Sequence, residues 1–105
     1  MSAAPGAAAR ERDQTIRRQI GALLSEREMD VRELSQALGV KEKEVAAHLP
    51  HVARSAAAGG RRFEVTPARC ELCDFVFAER RRLTRPGRCP RCRRTKVHNP
   101  SFRIR

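Results

Sequence analysis

Tryptophan and tyrosine are absent from the sequence, and only four phenylalanines occur among its 105 residues. Much of the remaining hydrophobic content is alanine, which buries little surface, so a core built from this inventory is thin. Small domains with thin cores usually depend on a disulfide, a metal ion or another cross-link for stability. The composition therefore predicts an additional cross-link.

Long hydrophobic segments are also missing. No run approaches the roughly 20 residues that span a bilayer, and residues 1–9 lack the bulky hydrophobic stretch of a secretory signal. The arginines that follow leave an organelle transit peptide as a weaker alternative, against which Glu11 and Asp13 argue. We expect a cytoplasmic protein with no membrane partner, in a compartment where thiols stay reduced.

Acidic residues are scarce in the second half of the chain. Residues 1–60 carry a net charge of +1, whereas residues 61–105 carry a net charge of +10. A positive field of this kind favours polyanions such as nucleic acid, or anionic membrane surfaces. The alternative is a solvated arginine-rich surface that has no partner.

Hydrophobic spacing predicts three helices in the first 60 residues. The first covers residues 13–27, and the second begins at Asp30, which forms a capping box with Glu33, and ends at Gly39. The third covers residues 41–57. The inner stripes of the three helices are Ile16, Ile20, Leu23 and Leu24, then Val31, Leu34, Ala37 and Leu38, then Val45, Leu49, Val52 and Ala56.

A short helix, a glycine turn and a second helix are typical of the helix-turn-helix motif, and a generic three-helix bundle is the alternative. Two residues depart from the ideal pattern of the third helix. Lys41 stands where Ser, Thr or Asp would cap the helix, and Pro50 removes a hydrogen bond to the Ala46 carbonyl. We expect a kink or a break near Leu49.

The periodicity changes after Gly60. Alternating hydrophobic and charged residues predict a strand that starts at Phe63 and ends at Pro67. Residues 75–77 and 102–104 predict two further strands, and Pro86-Gly87 predicts a turn.

The four cysteines form two Cys-x2-Cys pairs separated by fifteen residues: Cys70, Cys73, Cys89 and Cys92. Each pair can wrap a tight turn that directs both sulfurs to one point, and two such turns supply the tetrahedral thiolate set that Zn²⁺ prefers. We predict one structural Zn²⁺ ion, because four protein ligands leave no open coordination position. Iron would use the same sulfur set, and two disulfides or a redox pair are weaker alternatives.

No group of residues in the sequence suggests catalysis. His48, His51 and His98 are predicted to be ordinary surface or half-buried residues, since four cysteines already complete a metal site. The sequence shows neither a nucleophile with a base and an orienting group nor a pair of carboxylates in a cleft. We expect the protein not to be an enzyme.

The order of these elements resembles a family of predicted prokaryotic transcriptional regulators that fuse a helix-turn-helix domain to a C-terminal zinc ribbon. The resemblance covers residues 15–105. It rests on His48-Leu49, Pro67-x2-Cys70-x2-Cys73-x-Phe75-Val76-Phe77, Pro86-x-Arg88-Cys89-Pro90-x-Cys92 and Pro100-x-Phe102-x-Ile104. It implies a winged-helix-like N-terminal part and a role in transcription regulation.

The predicted fold is α+β, with a three-helix helix-turn-helix (winged-helix-like) part followed by a small antiparallel β zinc ribbon. We expect a disordered tail over residues 1–12, the helical domain over residues 13–66 and the ribbon over residues 67–105.

Nucleic-acid contacts are predicted mainly from the basic half of the chain. Residues 80–96 contain nine basic residues and no acidic one. Such a patch can neutralise several phosphates, whereas the third helix offers few residues that read bases. The predicted contact residues are Lys41, Lys43 and Arg54 on the third helix, and Arg80, Arg81, Arg82, Arg85, Arg88, Arg91, Arg93, Arg94 and Lys96 in the ribbon.

The function predicted from sequence is a DNA-binding transcriptional regulator. A zinc-ribbon adaptor that binds a protein assembly and an RNA-binding protein are the alternatives. The shortage of aromatic residues argues against recognition of single strands by stacking. A homodimer would be required if the target consists of paired half-sites.

Overall fold

The computed structural model describes residues 5–77 and 86–105, with side chains from residue 9 onward. Its elements follow the order α1 (Pro5–Glu26), β1 (Met29–Asp30), α2 (Val31–Leu38), α3 (Glu42–Ala58), β2 (Phe63–Thr66) and β3 (Ser101–Ile104). The predicted α+β class is confirmed. In the described part of the chain, no helix combines the length and the hydrophobicity needed to cross a bilayer.

Helix α1 begins eight residues before the predicted start at Asp13. Residues 5–12, predicted to be part of a disordered tail, are therefore helical. Alanine has the highest helix propensity, and proline is tolerated in the first turn of a helix because its missing N–H has no partner there anyway. These local preferences extend the helix beyond its hydrophobic stripe.

Helix α2 has the predicted capping box. The Glu33 N–H donates to Asp30 Oδ1 at 2.8 Å, and the Asp30 N–H donates to Glu33 Oε1 at 3.2 Å. Gly39 ends the helix in the left-handed conformation at φ 67°, where L side chains are disfavoured. The short turn that follows leads directly into α3.

Helix α3 is continuous from Glu42 to Ala58, so the predicted break near Leu49 does not occur. Pro50 is exposed, and hydrophobic packing holds the helix on both sides of it, because Leu49 and Val52 are buried. Lys41 makes no side-chain capping hydrogen bond, as predicted from its lack of a side-chain acceptor.

The three strands form one antiparallel sheet in the order β1-β3-β2. Met29 pairs with Phe102 across β1 and β3, while Phe63 pairs with Ile104 and Thr66 pairs with Ser101 across β2 and β3. Strand β1 was not predicted. The central strand β3 belongs to the residues predicted to form the zinc ribbon, which start at residue 67. The chain therefore leaves this sheet after Thr66 and returns to it at Ser101.

One hydrophobic core joins the helices to the sheet. Phe102 is fully buried in it and stacks on Phe63 with ring centroids 5.6 Å apart. The predicted stripes of α1 and α3 point into this core, except that Leu23 is only partly buried, and in α2 Ala37 is exposed. The other core residues are Ile16, Ile20, Leu24, Met29, Val31, Leu34, Val45, Leu49, Val52, Ala56 and Ile104. We call α1–α3 with β1–β3 the helix-sheet unit, and residues 67–100 the cysteine unit.

Candidate metal centre

The first Cys-x2-Cys pair forms a tight turn closed by backbone hydrogen bonds. The Cys70 N–H donates to the Phe75 carbonyl at 2.9 Å, and the Asp74 N–H donates to the Cys70 carbonyl at 3.1 Å. The Leu72 N–H points to the Cys70 sulfur at 3.4 Å. Asp74 takes a left-handed conformation with φ 60°, which brings the chain back past the sulfurs.

The second pair repeats this geometry. The Cys89 N–H donates to the Arg94 carbonyl at 2.9 Å, and the Arg93 N–H donates to the Cys89 carbonyl at 2.8 Å. Arg93 corresponds to Asp74 and is also left-handed, with φ 61°. A long side chain adopts this conformation less readily than asparagine, aspartate or glycine does, so the second turn carries backbone strain.

Isolated antiparallel bridges close the first turn and join it to the segment that follows the second turn. Arg69 pairs with Val76 and Cys70 pairs with Val97, while the Glu71 N–H donates to the Lys96 carbonyl at 2.9 Å. The strand predicted over residues 75–77 is therefore reduced to a single bridge at Val76. Cys70 and Cys89 are buried, and Cys73 and Cys92 are half-buried.

The four sulfurs converge on one point. All four lie within 4.8 Å of one another, and the Cys70–Cys92 and Cys73–Cys89 sulfur pairs are 3.5 Å and 3.6 Å apart. Four ligands about 2.3 Å from a zinc ion lie about 3.8 Å from each other in a regular tetrahedron. A disulfide needs about 2.05 Å between its sulfurs. The cysteines are therefore free thiols placed at metal-ligand separation.

The surroundings of the sulfurs shift the pKa values of the four cysteines in opposite directions. Burial opposes ionisation of Cys89, but hydrogen bonds from the backbone of Cys92 and Arg91 outweigh it and lower its pKa to about 7. The backbone N–H of Phe75 favours ionisation of Cys73, but burial and the neighbouring sulfurs outweigh that effect and raise its pKa to about 12. Four thiolates at this separation would repel one another, and a bound cation would neutralise them.

This donor set fits Zn²⁺ in a closed structural site. Soft thiolates select zinc or iron over magnesium and calcium, and four protein ligands exclude both water and substrate from the metal. Such an ion would tie the two turns together. It would supply binding energy to a segment that has only a small buried core of its own, which includes Ala68 and Val97.

Five described basic residues of the cysteine unit lie on or next to its second turn, and all are exposed: Arg88, Arg91, Arg93, Arg94 and Lys96. None of them lies within 4.0 Å of a carboxylate in residues 9–77 and 86–105. The predicted contacts Arg80, Arg81, Arg82 and Arg85 lie outside the described residues.

The predicted contact residues of α3 are also exposed. Lys41 and Lys43 lie at its N-terminal end, and Arg54 lies near its C-terminal end with Nη2 2.8 Å from His51 Nδ1. Burial, and then the positive charges of Arg17 and Arg54, lower the pKa of His51. These effects act against protonation of His51.

His48 lies in a buried polar cluster that the sequence analysis missed. The prediction of a surface or half-buried residue was wrong, because the side chain is 5% exposed and sits between α1 and α3. Its Nε2 is 3.7 Å from Asp13 Oδ1 and 4.0 Å from Glu44 Oε1. The i, i+4 spacing of Glu44 and His48, which places both side chains on one face of α3, was the feature of the sequence that could have predicted this cluster.

Two guanidinium groups already occupy this cluster. Arg12 pairs with Glu44, and this hydrogen bond is the main reason that the pKa of Glu44 is lowered. Arg17 Nε donates to His48 Nδ1 at 3.1 Å, which leaves the proton of the neutral ring on Nε2. The cluster therefore joins α1 to α3 and is poorly suited to a metal ion.

In the described residues, three helices, a small antiparallel sheet and a cluster of four cysteines that could hold one metal ion define an α+β protein. Residues 15–63 match the family model described as PF0610-like, N-terminal. The chain is similar to the solution NMR structure of protein PF0610 from Pyrococcus furiosus, with a TM-score of 0.73 and 28% sequence identity over 88% of this chain and 90% of that chain. No curated protein matches the chain.

Proposed function

We propose that this protein is a DNA-binding transcriptional regulator of the cytoplasm whose cysteine unit is folded around one Zn²⁺ ion. Cys70, Cys73, Cys89 and Cys92 would hold the ion, and the basic residues beside it would bind DNA phosphates. The metal has a structural role and the protein acts by binding, without catalysis.

The positive charge around the second cysteine turn carries this proposal. Five exposed basic side chains flank the second turn, and none has a carboxylate partner in the described residues. An isolated protein surface usually neutralises part of such charge with interspersed acidic residues. Phosphates arranged along a duplex would neutralise it and release counterions, which makes binding strongly salt-dependent.

The helix-sheet unit supports the same proposal. Helix α2, the left-handed Gly39 and helix α3 follow each other as in a helix-turn-helix, and the antiparallel strands after α3 match the winged-helix-like order. Lys41 and Lys43 are exposed at the end of α3 that would approach DNA. Arg12 pairs with Glu44 and so offsets one of the two acidic residues in the first turn of α3, Glu42 and Glu44, that would repel phosphates there.

A salt series on duplex binding tests the proposal. We expect the logarithm of the binding constant of the zinc-loaded protein to fall linearly with the logarithm of salt concentration, by about 0.9 per neutralised phosphate. The double variant Arg94→Gln/Lys96→Gln should reduce this slope by about 1.8. Both side chains are exposed, and only their backbone groups take part in the turn.

The matched control is Arg18→Gln/Arg27→Gln, which removes the same charge from exposed positions of α1 and the segment after it. It should leave the slope unchanged. A slope near zero for the natural protein would reject phosphate contact, and an equal loss in both double variants would reject the cysteine unit as the binding surface. Selection from a random DNA pool then tests sequence preference.

Two exposed hydrophobic residues favour the adaptor as the second candidate function. Leu72 and Val76 lie on the cysteine unit and are 56% and 50% exposed. Exposed hydrophobic residues of this kind are common in protein interfaces. Partners that persist in a pull-down after nuclease treatment, and that are lost in Leu72→Ser, would support this function over DNA binding.

RNA binding by base stacking has less support. Phe63 and Phe102 stack on each other in the core, and Phe75 packs edge-to-face against Phe77 at 5.1 Å. None of the four is exposed, so no aromatic platform is presented to bases. Competition by single-stranded RNA in the duplex assay separates the two nucleic acids.

A further inference from the structure

A groove of about 300 Å³ runs between α1 and α3 on the helix-sheet unit. Its floor is hydrophobic and is formed by Val52, Ala56 and Ile104, which are 4–8% exposed. This volume is at the lower end of the range for small-molecule sites in proteins. The groove therefore has the size for a small ligand.

The groove is open because small residues of α1 line it. Gly21 lies in the interior of the helix, and a Cβ atom built on it would meet nothing within 4 Å. Glycine inside a helix costs about 0.5–1 kcal/mol relative to alanine. Neither a close packing contact nor a left-handed backbone requires this glycine, so its presence keeps space free above the hydrophobic floor.

The rim of the groove is positively charged. Arg17, Arg18 and Arg61 line it, and no acidic residue does. Arg17 donates to His48 Nδ1, and Arg61 Nη1 donates to Ser25 Oγ at 2.8 Å. None of the three arginines has a carboxylate within 4.0 Å in the part of the chain that the structure describes.

We propose that this groove binds a small amphipathic carboxylate, with its hydrocarbon part on the floor and its carboxylate at the rim. Arg18 and Arg61 are the two exposed rim arginines, and a guanidinium binds a carboxylate through two parallel hydrogen bonds. A neutral or cationic ligand would leave these charges uncompensated. The lining includes neither the predicted DNA contacts of α3 (Lys41, Lys43 and Arg54) nor any residue of the cysteine unit, so this inference does not depend on DNA binding.

Titration of the full, metal-loaded chain with octanoate tests the proposal, with calorimetry and amide chemical shifts as readouts. Octanoate should bind at least about tenfold more tightly than octanol, which lacks the charge, or acetate, which lacks the hydrocarbon chain. Octylammonium should bind no better than octanol. Amide shifts should concentrate on Gly21, Ser25 and Ser55, which line the groove.

Two variants with matched controls locate the site. Gly21→Leu places a side chain into open space and should abolish octanoate binding, whereas Gln19→Leu, at an exposed position of the same helix outside the groove, should not. Arg18→Gln should weaken binding about tenfold and Arg27→Gln should leave it unchanged. Thermal unfolding confirms that each variant is folded.

Several outcomes would overturn the proposal. It is rejected if octanoate does not bind, if octanol binds equally well, or if folded Gly21→Leu binds octanoate as the natural protein does. Shifts confined to the cysteine unit would also reject it. The natural chain is folded in every titration, so lack of binding is a direct negative result.

Discussion

Asp74 and Arg93 occupy equivalent places in the two cysteine turns and share nearly the same left-handed backbone, at φ 60° and 61°. Aspartate enters this region more readily than arginine does. Arg93 therefore combines an unfavourable conformation with an exposed positive charge at the proposed DNA surface. Strain kept at a position of this kind is typical of a binding residue.

Arg93→Gly should stabilise the metal-loaded protein while weakening its binding to DNA. Relief of the left-handed conformation contributes about 1–2 kcal/mol, and the greater freedom of glycine in the unfolded chain offsets about 0.5–1 kcal/mol of it. Chemical denaturation at fixed metal concentration measures the net gain, and duplex titration measures the loss of affinity.

Asp74→Gly is the matched control, since it makes the same backbone change on the first turn without removing a positive charge. It should not weaken DNA binding. If Arg93→Gly lowers stability, the strain argument is wrong, and if both variants weaken DNA binding equally, the effect belongs to the backbone rather than to the arginine.

At the scale of elements, α3 continues through Pro50 without a break. The proline removes one backbone hydrogen bond, and its side chain is exposed, so it fills no space in the core. The helix persists because Val45 and Leu49 before the proline and Val52 and Ala56 after it are all buried in one core. Hydrophobic packing on both sides of Pro50 outweighs the low helix propensity of proline.

Pro50→Ala should raise the free energy of unfolding by about 1–3 kcal/mol, because it restores the hydrogen bond to Ala46 and removes a poor helix former. Lys43→Ala, at an exposed site of the same helix, should change stability by less than about 0.5 kcal/mol. Urea denaturation measures both. Equal or lower stability of the proline variant would show that Pro50 is accommodated without cost.

The elements that local patterns determine could be predicted from the sequence. The capping box of α2, the hydrophobic stripe of α3 and the alternation in β2 are each encoded within a few neighbouring residues. Strand β1 could not be predicted in this way, because Met29 and Asp30 form a strand only by pairing with Phe102 and Ser101, far along the chain.

The same distinction between local and long-range contacts applies to the candidate sites. The cysteine spacing alone placed Cys70 and Cys92 in one cluster, since each pair forms its own tight turn. The His48 cluster and the groove above Gly21 depend on how α1 packs against α3, and this packing is not visible in local spacing. The start of α1 was missed because alanine propensity, without a hydrophobic stripe, extends it.

At the scale of the whole molecule, the cysteine unit is inserted between β2 and β3 of the helix-sheet unit. Phe102 and Ile104, which complete the core under the helices, follow the second cysteine turn in sequence. A bound metal would cross-link the connection between the paired strands and shorten the loop that must close, and this should stabilise the sheet by about 1 kcal/mol through reduced loop entropy.

Metal removal should therefore affect the two units unequally. Cys89→Ser, or chelation of the natural protein, should unfold the cysteine unit, while the helices persist with a free energy of unfolding lowered by about 1 kcal/mol. Elemental analysis should find one zinc ion per natural chain, and circular dichroism should show retained helix after chelation.

Thr95→Ser, which changes an exposed residue of the same unit and leaves all four sulfurs, should keep both the metal and the stability. Loss of all helical signal on chelation would show that the two units fold as one. An unchanged metal content in Cys89→Ser would show that the ion, if present, is bound elsewhere.

The direct pairing of Thr66 with Ser101 has a consequence for how such a protein is assembled from parts. The cysteine unit leaves the sheet and returns to it at two paired residues, where a two-residue Asn-Gly turn would also connect the strands. The helix-sheet unit needs no change of strand register to gain, lose or exchange the cysteine unit. The sequence of each unit can therefore change independently of the other, and the end of this hairpin is a suitable point for inserting other modules.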